Sequence, residues 1–188
     1  FQISYVYQYS SREMSVFYLV SSFWAGQEGS LLLWAWVLSL FGAIVVYQTR
    51  KRNMDLAPYV LLVVMLVQAF FLAILNFASP PFASLGGIPP DGKGLNPLLE
   101  NPGMFFHPTT LYLGYVGFTI PFAFCIAALI TGRLGDQWIK STRRWTLFAW
   151  MFLFLGNLFG AWWAYVELGW GGYWGWDPVE SASFMPWL

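Results

Sequence analysis

The chain is 188 residues long, 58% hydrophobic and only 10% charged, with a formal net charge of zero and a mean hydropathy of +0.56. A soluble domain carries about 25% charged residues, so this is an integral membrane protein, and its sparse, balanced charge leaves no basic footprint for nucleic acid. A single cysteine, Cys125, inside an apolar run, excludes an intrachain disulfide, a CxxC pair and a thiolate metal site, and reads as a small buried hydrophobe.

In chain order, an aromatic-rich segment (1–29) precedes four stretches long enough to cross about 30 Å of hydrocarbon as helices: 30–47, 57–77, 109–130 and 145–165. A fifth helix begins near Pro178, with 181–188 as its start. The loop 48–56 holds Arg50, Lys51 and Arg52, and the loop 131–144 holds Arg133, Lys140, Arg143 and Arg144, so seven of the nine basic residues share one side. The positive-inside rule makes that side cytoplasmic. Segments 1–29, 78–108 and 166–177 then lie together on the opposite face. The expected fold is all-α: one polytopic transmembrane helix bundle over 1–188 with an aromatic-rich outer loop surface. The start at Phe1 without Met and the stop at Leu188 within an apolar stretch read as a piece of a longer protein.

In the outer loop 78–108, Gly86-Gly87-Ile88-Pro89-Pro90-Asp91-Gly92 marks turns, and Asn96-Pro97 opens a short helix ending at Asn101-Pro102-Gly103. His107, the only histidine, follows in Phe105-Phe106-His107-Pro108-Thr109. Pro108 suits the first helical position, and the positive helix end then keeps the imidazole neutral. A neutral imidazole can ligate a metal, or it can be an interfacial polar group bonded to water or a carbonyl. One histidine without cysteine partners does not make a zinc site. Haem needs only axial ligands, because the macrocycle supplies the other four nitrogens.

The loop 166–180 contains Trp170-Gly171-Gly172-Tyr173-Trp174-Gly175-Trp176-Asp177-Pro178-Val179-Glu180. Rigid aromatic faces among glycines suit a flat apolar ligand, and equally an aromatic belt at the membrane surface. Its end reads as a helix start, with Asp177 as N-cap, Pro178 in the first turn and Glu180 three residues on; capping outranks a general acid and base role for the two carboxylates. Glu28 compensates the dipole of the first spanning helix. Glu167 either orients a tryptophan N–H or is a solvated rim charge. Arg12 and Lys93, the only outer cations, either meet an anionic ligand group or pair with Glu13 or Asp91. Gln68, Asn76 and Asn157 join helix–helix hydrogen bonds.

The tryptophan block, continuing through Ser181-Ala182-Ser183-Phe184-Met185-Pro186-Trp187-Leu188, resembles the WWD signature of the haem-handling proteins of cytochrome c biogenesis. Three further stretches, Trp24-Ala25-Gly26-Gln27-Glu28-Gly29-Ser30-Leu31-Leu32-Leu33-Trp34, 96–115 and Gly160-Ala161-Trp162-Trp163-Ala164-Tyr165, resemble the CcmF and NrfE branch and not CcmC or CcsA. The resemblance covers nearly the whole chain. It implies a bacterial inner-membrane, multi-pass subunit of the cytochrome c haem lyase, with the WWD loop and His107 periplasmic. Such a subunit takes haem from the chaperone CcmE and attaches it by thioether bonds to the CxxCH of apocytochrome c, presented by CcmH/CcmI-type subunits. A haem transporter or chaperone without ligation activity is the alternative, and a structural or quinone-binding membrane subunit is a third.

The same resemblance implies that the rings of Trp170, Trp174 and Trp176 lie against an outer haem b in transit, beside Tyr173, Gly171, Gly172 and Asp177, with His107 on the iron. A second, membrane-embedded haem b belongs to the full-length protein, whose further histidines follow Leu188. Ser181 stands where many members have Asn, and Gln27 where some have His, so neither side chain is required on haem.

Overall fold

The computed structural model describes residues 1–49, 55–169 and 171–188; Arg50, Lys51, Arg52 and Trp170 lie outside the described residues. The helices are α1 (Ser4–Tyr9), α2 (Val16–Ser21), α3 (Gln27–Thr49), α4 (Ala57–Phe77), α5 (Pro102–Thr131), α6 (Gln137–Glu167) and α7 (Pro178–Phe184), with 3₁₀ turns at Ser22–Trp24 and Pro97–Leu99. Among the described residues, α3 to α6 are long and apolar enough to cross a membrane, and the one β-type pairing is an isolated bridge between Ile3 and Ser84. The protein is the all-α membrane bundle that its composition predicts.

Helix α4 coincides with the expected 57–77, whereas α5 starts at Pro102 instead of Thr109 and α6 at Gln137 instead of Trp145. The reason is that hydropathy delimits the hydrocarbon, not the helix. The 30 residues of α5 rise about 45 Å at 1.5 Å per residue, beyond a hydrocarbon core of about 30 Å. Asn101 caps α5 by accepting from the Gly103 N–H at 2.7 Å, and Gly132 closes it with a left-handed φ of 68°. The short helix expected before it is one 3₁₀ turn, Pro97–Leu99, capped by Asn96.

Helices α3, α4 and α5 share the apolar core: Leu38, Val60 and Ile120 are fully buried, with Phe41, Val64 and Phe124 around them. Helix α6 joins through Trp145 and Phe148, which pack on Phe41. Its main partner is α5, along an antiparallel seam of small residues. A Cβ on Gly114 would stand 2.6 Å from the Leu153 nitrogen, one on Gly117 2.9 Å from the Ala149 Cβ, and one on Gly156 2.8 Å from the Leu111 Cα. Backbones this close gain dispersion contacts that larger side chains would prevent, a common device between membrane helices.

The connections segregate to two ends. At one, α1 docks on the 78–108 loop through Ser4 N–H to the Ala83 carbonyl (2.8 Å), Leu85 N–H to Gln2 (3.0 Å) and Lys93 N–H to Tyr7 (2.7 Å). At the other, Trp145 Nε1 donates to Gln48 Oε1 (3.0 Å) and Arg133 pairs with Asp55 (2.5 Å). The tryptophan-rich turn belongs to the first end, which it reaches as α6 finishes at Glu167.

Candidate functional site

His107 sits in the second turn of α5, not at its start, because Pro102 already takes the first helical position. This corrects the expectation that Pro108 opens the helix and that the helix terminus holds the ring. Pro108 lacks the N–H that would bond the Met104 carbonyl. That carbonyl instead accepts the indole N–H of buried Trp24 at 2.8 Å. Phe105, on which Trp24 and Phe17 both pack, completes the support.

The imidazole is half-buried against α6. Its Nδ1 lies 2.8 Å from the Gly156 carbonyl oxygen, and since a carbonyl only accepts, Nδ1 carries the proton and Nε2 keeps its lone pair. Trp163 flanks the ring with centroids 5.9 Å apart. Trp163 is itself seated over Gly103, whose Cβ would fall 2.5 Å from the indole Cγ. One turn higher, the Asn101 side-chain amide donates to Glu167, joining the first residues of α5 to the last of α6.

The tryptophan-rich turn is organised by its carboxylates. Asp177 Oδ1 accepts from the Glu180 N–H at 2.7 Å, and Glu180 Oε2 accepts from the Gly175 N–H at 2.7 Å and the Asp177 N–H at 3.4 Å. This is the reciprocal capping box expected for the start of α7. Gly171 (φ 70°) and Trp176 (φ 55°) both adopt left-handed backbone, a conformation that costs a bulky residue about 1–3 kcal/mol. Trp176 is 70% exposed there. Ser183 anchors α7 by donating to Asn157 Oδ1 at 2.6 Å, and Trp187 stacks on Trp150 and Phe154. Asn157 therefore makes the helix–helix bond expected of it, whereas Asn76 turns back to its own helix, donating to Leu72.

Two aromatic groups result. Trp174, Trp176 and Phe184 meet edge to face, at centroid separations of 5.9–6.2 Å. Tyr173 stacks flat on Tyr165 at 4.4 Å and 8°, at the end of α6. Among the described residues the ring neighbour of His107 is Trp163, not a residue of the turn. The turn and the histidine share one end of the helix pair α5 and α6. The indole N–H groups of Trp163 and Trp174 are buried without a hydrogen-bond partner among the described residues. One free imidazole lone pair, at the end that bears exposed aromatic faces, fits a flat ligand with a metal centre.

Arg12 and Lys93 form no ion pair with Glu13 or Asp91 among the described residues. Asp91 accepts from the Arg12 backbone N–H at 3.0 Å, and the Lys93 ammonium lies 5.5 Å from the Tyr7 ring centroid. Glu28 lies in the first turn of α3, as expected. The neighbouring glycines serve packing: Tyr5 accepts the Gly26 N–H at 2.9 Å and donates to the Phe23 carbonyl at 3.0 Å. Burial pushes the Tyr5 phenol up to about 12. Trp163 and Gly160 are the contributors that residue-level reading missed; their signal was the phase of α6, which places 156, 160 and 163 on one face, whereas the bond of Ser183 from α7 to Asn157 had no local signal.

Fold and site together define a polytopic helical membrane protein with a histidine and an aromatic turn at one end of the bundle. Residues 24–188 match the family model described as cytochrome C assembly protein, and the chain belongs to that family. It is 48% identical to the cytochrome c-type biogenesis protein CcmF of Escherichia coli K12 and 45% identical to CcmF of Haemophilus influenzae, in each case over 100% of this chain and 29% of the relative. It is 43% identical to NrfE of Haemophilus influenzae over 100% of this chain and 30% of that protein. The chain thus spans under a third of the length of these relatives. No solved structure matches it.

Proposed function

We propose that this chain is the part of a cytochrome c haem lyase that receives haem from a CcmE-type chaperone and holds it for attachment to apocytochrome c. Its membership of a cytochrome c assembly family supports a role in that process. The observation that carries the reading is the His107–Gly156 hydrogen bond, which leaves Nε2 free as an iron ligand at the end that bears the tryptophan turn. Basic residues at the opposite end make that end cytoplasmic and the site periplasmic.

Haem is the substrate here: addition of each cysteine S–H across a vinyl C=C forms one C–S and one C–H bond, with no leaving group. The chain's part is to bind and orient. Covering apolar porphyrin surface contributes about 25 cal/mol per Å², so several rings are needed to offset ordering costs. Trp174 and Trp176 supply them, together with Trp170, Tyr173 and the close backbone of Gly171 and Gly172. Asp177 contributes through the turn it caps. Fixing the vinyl carbons near incoming thiols turns a slow bimolecular addition into a guided one, without a nucleophile from this chain.

The test is reconstitution of the full-length protein with the haem-loaded chaperone, the CcmH/CcmI-type subunits and a CxxCH acceptor, followed by mass spectrometry for thioether product. Wild type should give covalent product and His107→Ala little. Haem transfer without covalent product would favour a transporter instead, and undiminished product from His107→Ala would remove the histidine from the reading.

A further inference from the structure

We propose that Gly156-Asn157-Leu158-Phe159-Gly160 is a positioning cradle for His107, in which Gly160 forgoes a side chain so that the imidazole reaches the Gly156 carbonyl and presents Nε2 as its ligand atom. The ligand's identity rests on the haem reading; the cradle does not. In an α-helix the carbonyl of residue 156 already serves the N–H of residue 160. A side chain from a neighbouring helix can share that carbonyl only by passing over residue 160. A Cβ there would stand 2.6 Å from the imidazole Cε1 and 2.7 Å from Nδ1, distances at which the ring must leave.

The two glycines divide the task. A Cβ on Gly156 would meet the Leu111 Cα at 2.8 Å, so this residue brings the helices together one turn from His107. Gly160, opposite His107, then admits the ring into the narrow gap. Gly114 and Gly117 also close the α5–α6 seam, but against Leu153 and Ala149, with no polar group to orient. What distinguishes position 160 is that the vacated space is filled by an imidazole bonded to the carbonyl beside it. Histidines that ligate metals commonly donate their second ring N–H to such a carbonyl, which fixes tautomer and orientation; losing that partner lowers metal affinity about 10–100-fold. Gly156 and Gly160 are positioning residues: they act through His107 and need not touch the ligand.

Two measurements on the full-length protein test this. Without haem, the thermal midpoint is compared for Gly160→Ala made in wild type and in His107→Ala. The cradle predicts a large drop in wild type and a much smaller one when the ring is gone; an equal drop in both backgrounds would overturn it. Should Gly160→Ala fail to fold, recovery in His107→Ala/Gly160→Ala supports the cradle and no recovery overturns it. With haem from the chaperone, Gly160→Ala should shift the Soret band and weaken haem retention as His107→Ala does, by about 10–100-fold, while Gly117→Ala changes the thermal midpoint alone. A Soret band unmoved by Gly160→Ala, or moved equally by Gly117→Ala, would overturn the positioning role. If His107→Ala itself leaves haem unchanged, the haem reading fails, and the haem-free comparison still decides the cradle.

Discussion

The Trp24 indole N–H donates to the Met104 carbonyl at 2.8 Å, the acceptor that Pro108 has no N–H to use. A proline inside a helix usually leaves such a carbonyl to water or bends the chain. Here a residue 80 positions away takes it, in the turn that carries His107. Replacing Trp24 by Phe keeps the ring and removes the donor, leaving a buried carbonyl unsatisfied. The expected loss is about 1–3 kcal/mol, read as a lowered thermal midpoint of the purified full-length protein. A midpoint equal to wild type would mean that the bond contributes nothing.

Asp177 and Glu180 define the turn rather than its ligand. Asp177→Ala should cost about 0.5–2 kcal/mol of local stability, seen as faster amide hydrogen exchange across α7, and Asp177→Asn or Asp177→Ser should restore most of it. A direct ligand role for Asp177 would instead show as lost haem binding with unchanged exchange.

Trp176 holds a φ of 55° while 70% exposed, so its side chain repays little of the backbone cost by burial. Trp176→Gly should relieve about 1–3 kcal/mol of strain, yet weaken haem retention if, as proposed, haem lies against the outward ring. Opposite signs on thermal midpoint and haem retention are the expected signature; unchanged retention would assign the ring to the membrane interface alone.

The Tyr5 phenol, pushed up to about 12 by burial, donates to the Phe23 carbonyl and accepts from Gly26. Because the folded value lies above the ordinary 10.0, the neutral phenol's contribution is complete below pH 10 and falls as pH rises from about 10 to 12. The 295 nm titration of wild type minus Tyr5→Phe should therefore show its step near pH 12. A step near pH 10 would mean that the phenol is solvated.

The bundle was legible because apolar stretches of about 20 residues have few alternatives in a membrane. The cap at Asp177 was legible too, since Asp, Pro and Glu at those offsets satisfy helix-end donors locally. The start of α5 was not. Asn101-Pro102 and His107-Pro108 both offer a helix opening, and the Trp24 bond that satisfies the carbonyl freed by the second proline is long-range. Nor were Gly160 and Trp163 readable as neighbours of His107, because that pairing depends on the register of α5 against α6. That register is set by close glycine contacts along the seam, Gly114 on Leu153 and Gly156 on Leu111.

The most direct test of the central claim is the absorption spectrum of haem delivered to the full-length protein, compared between wild type and His107→Gly, with imidazole then added. The claim that His107 Nε2 ligates the iron predicts an altered Soret band in His107→Gly and its return toward wild type with imidazole. A His107→Gly spectrum identical to wild type before any imidazole is added would contradict it.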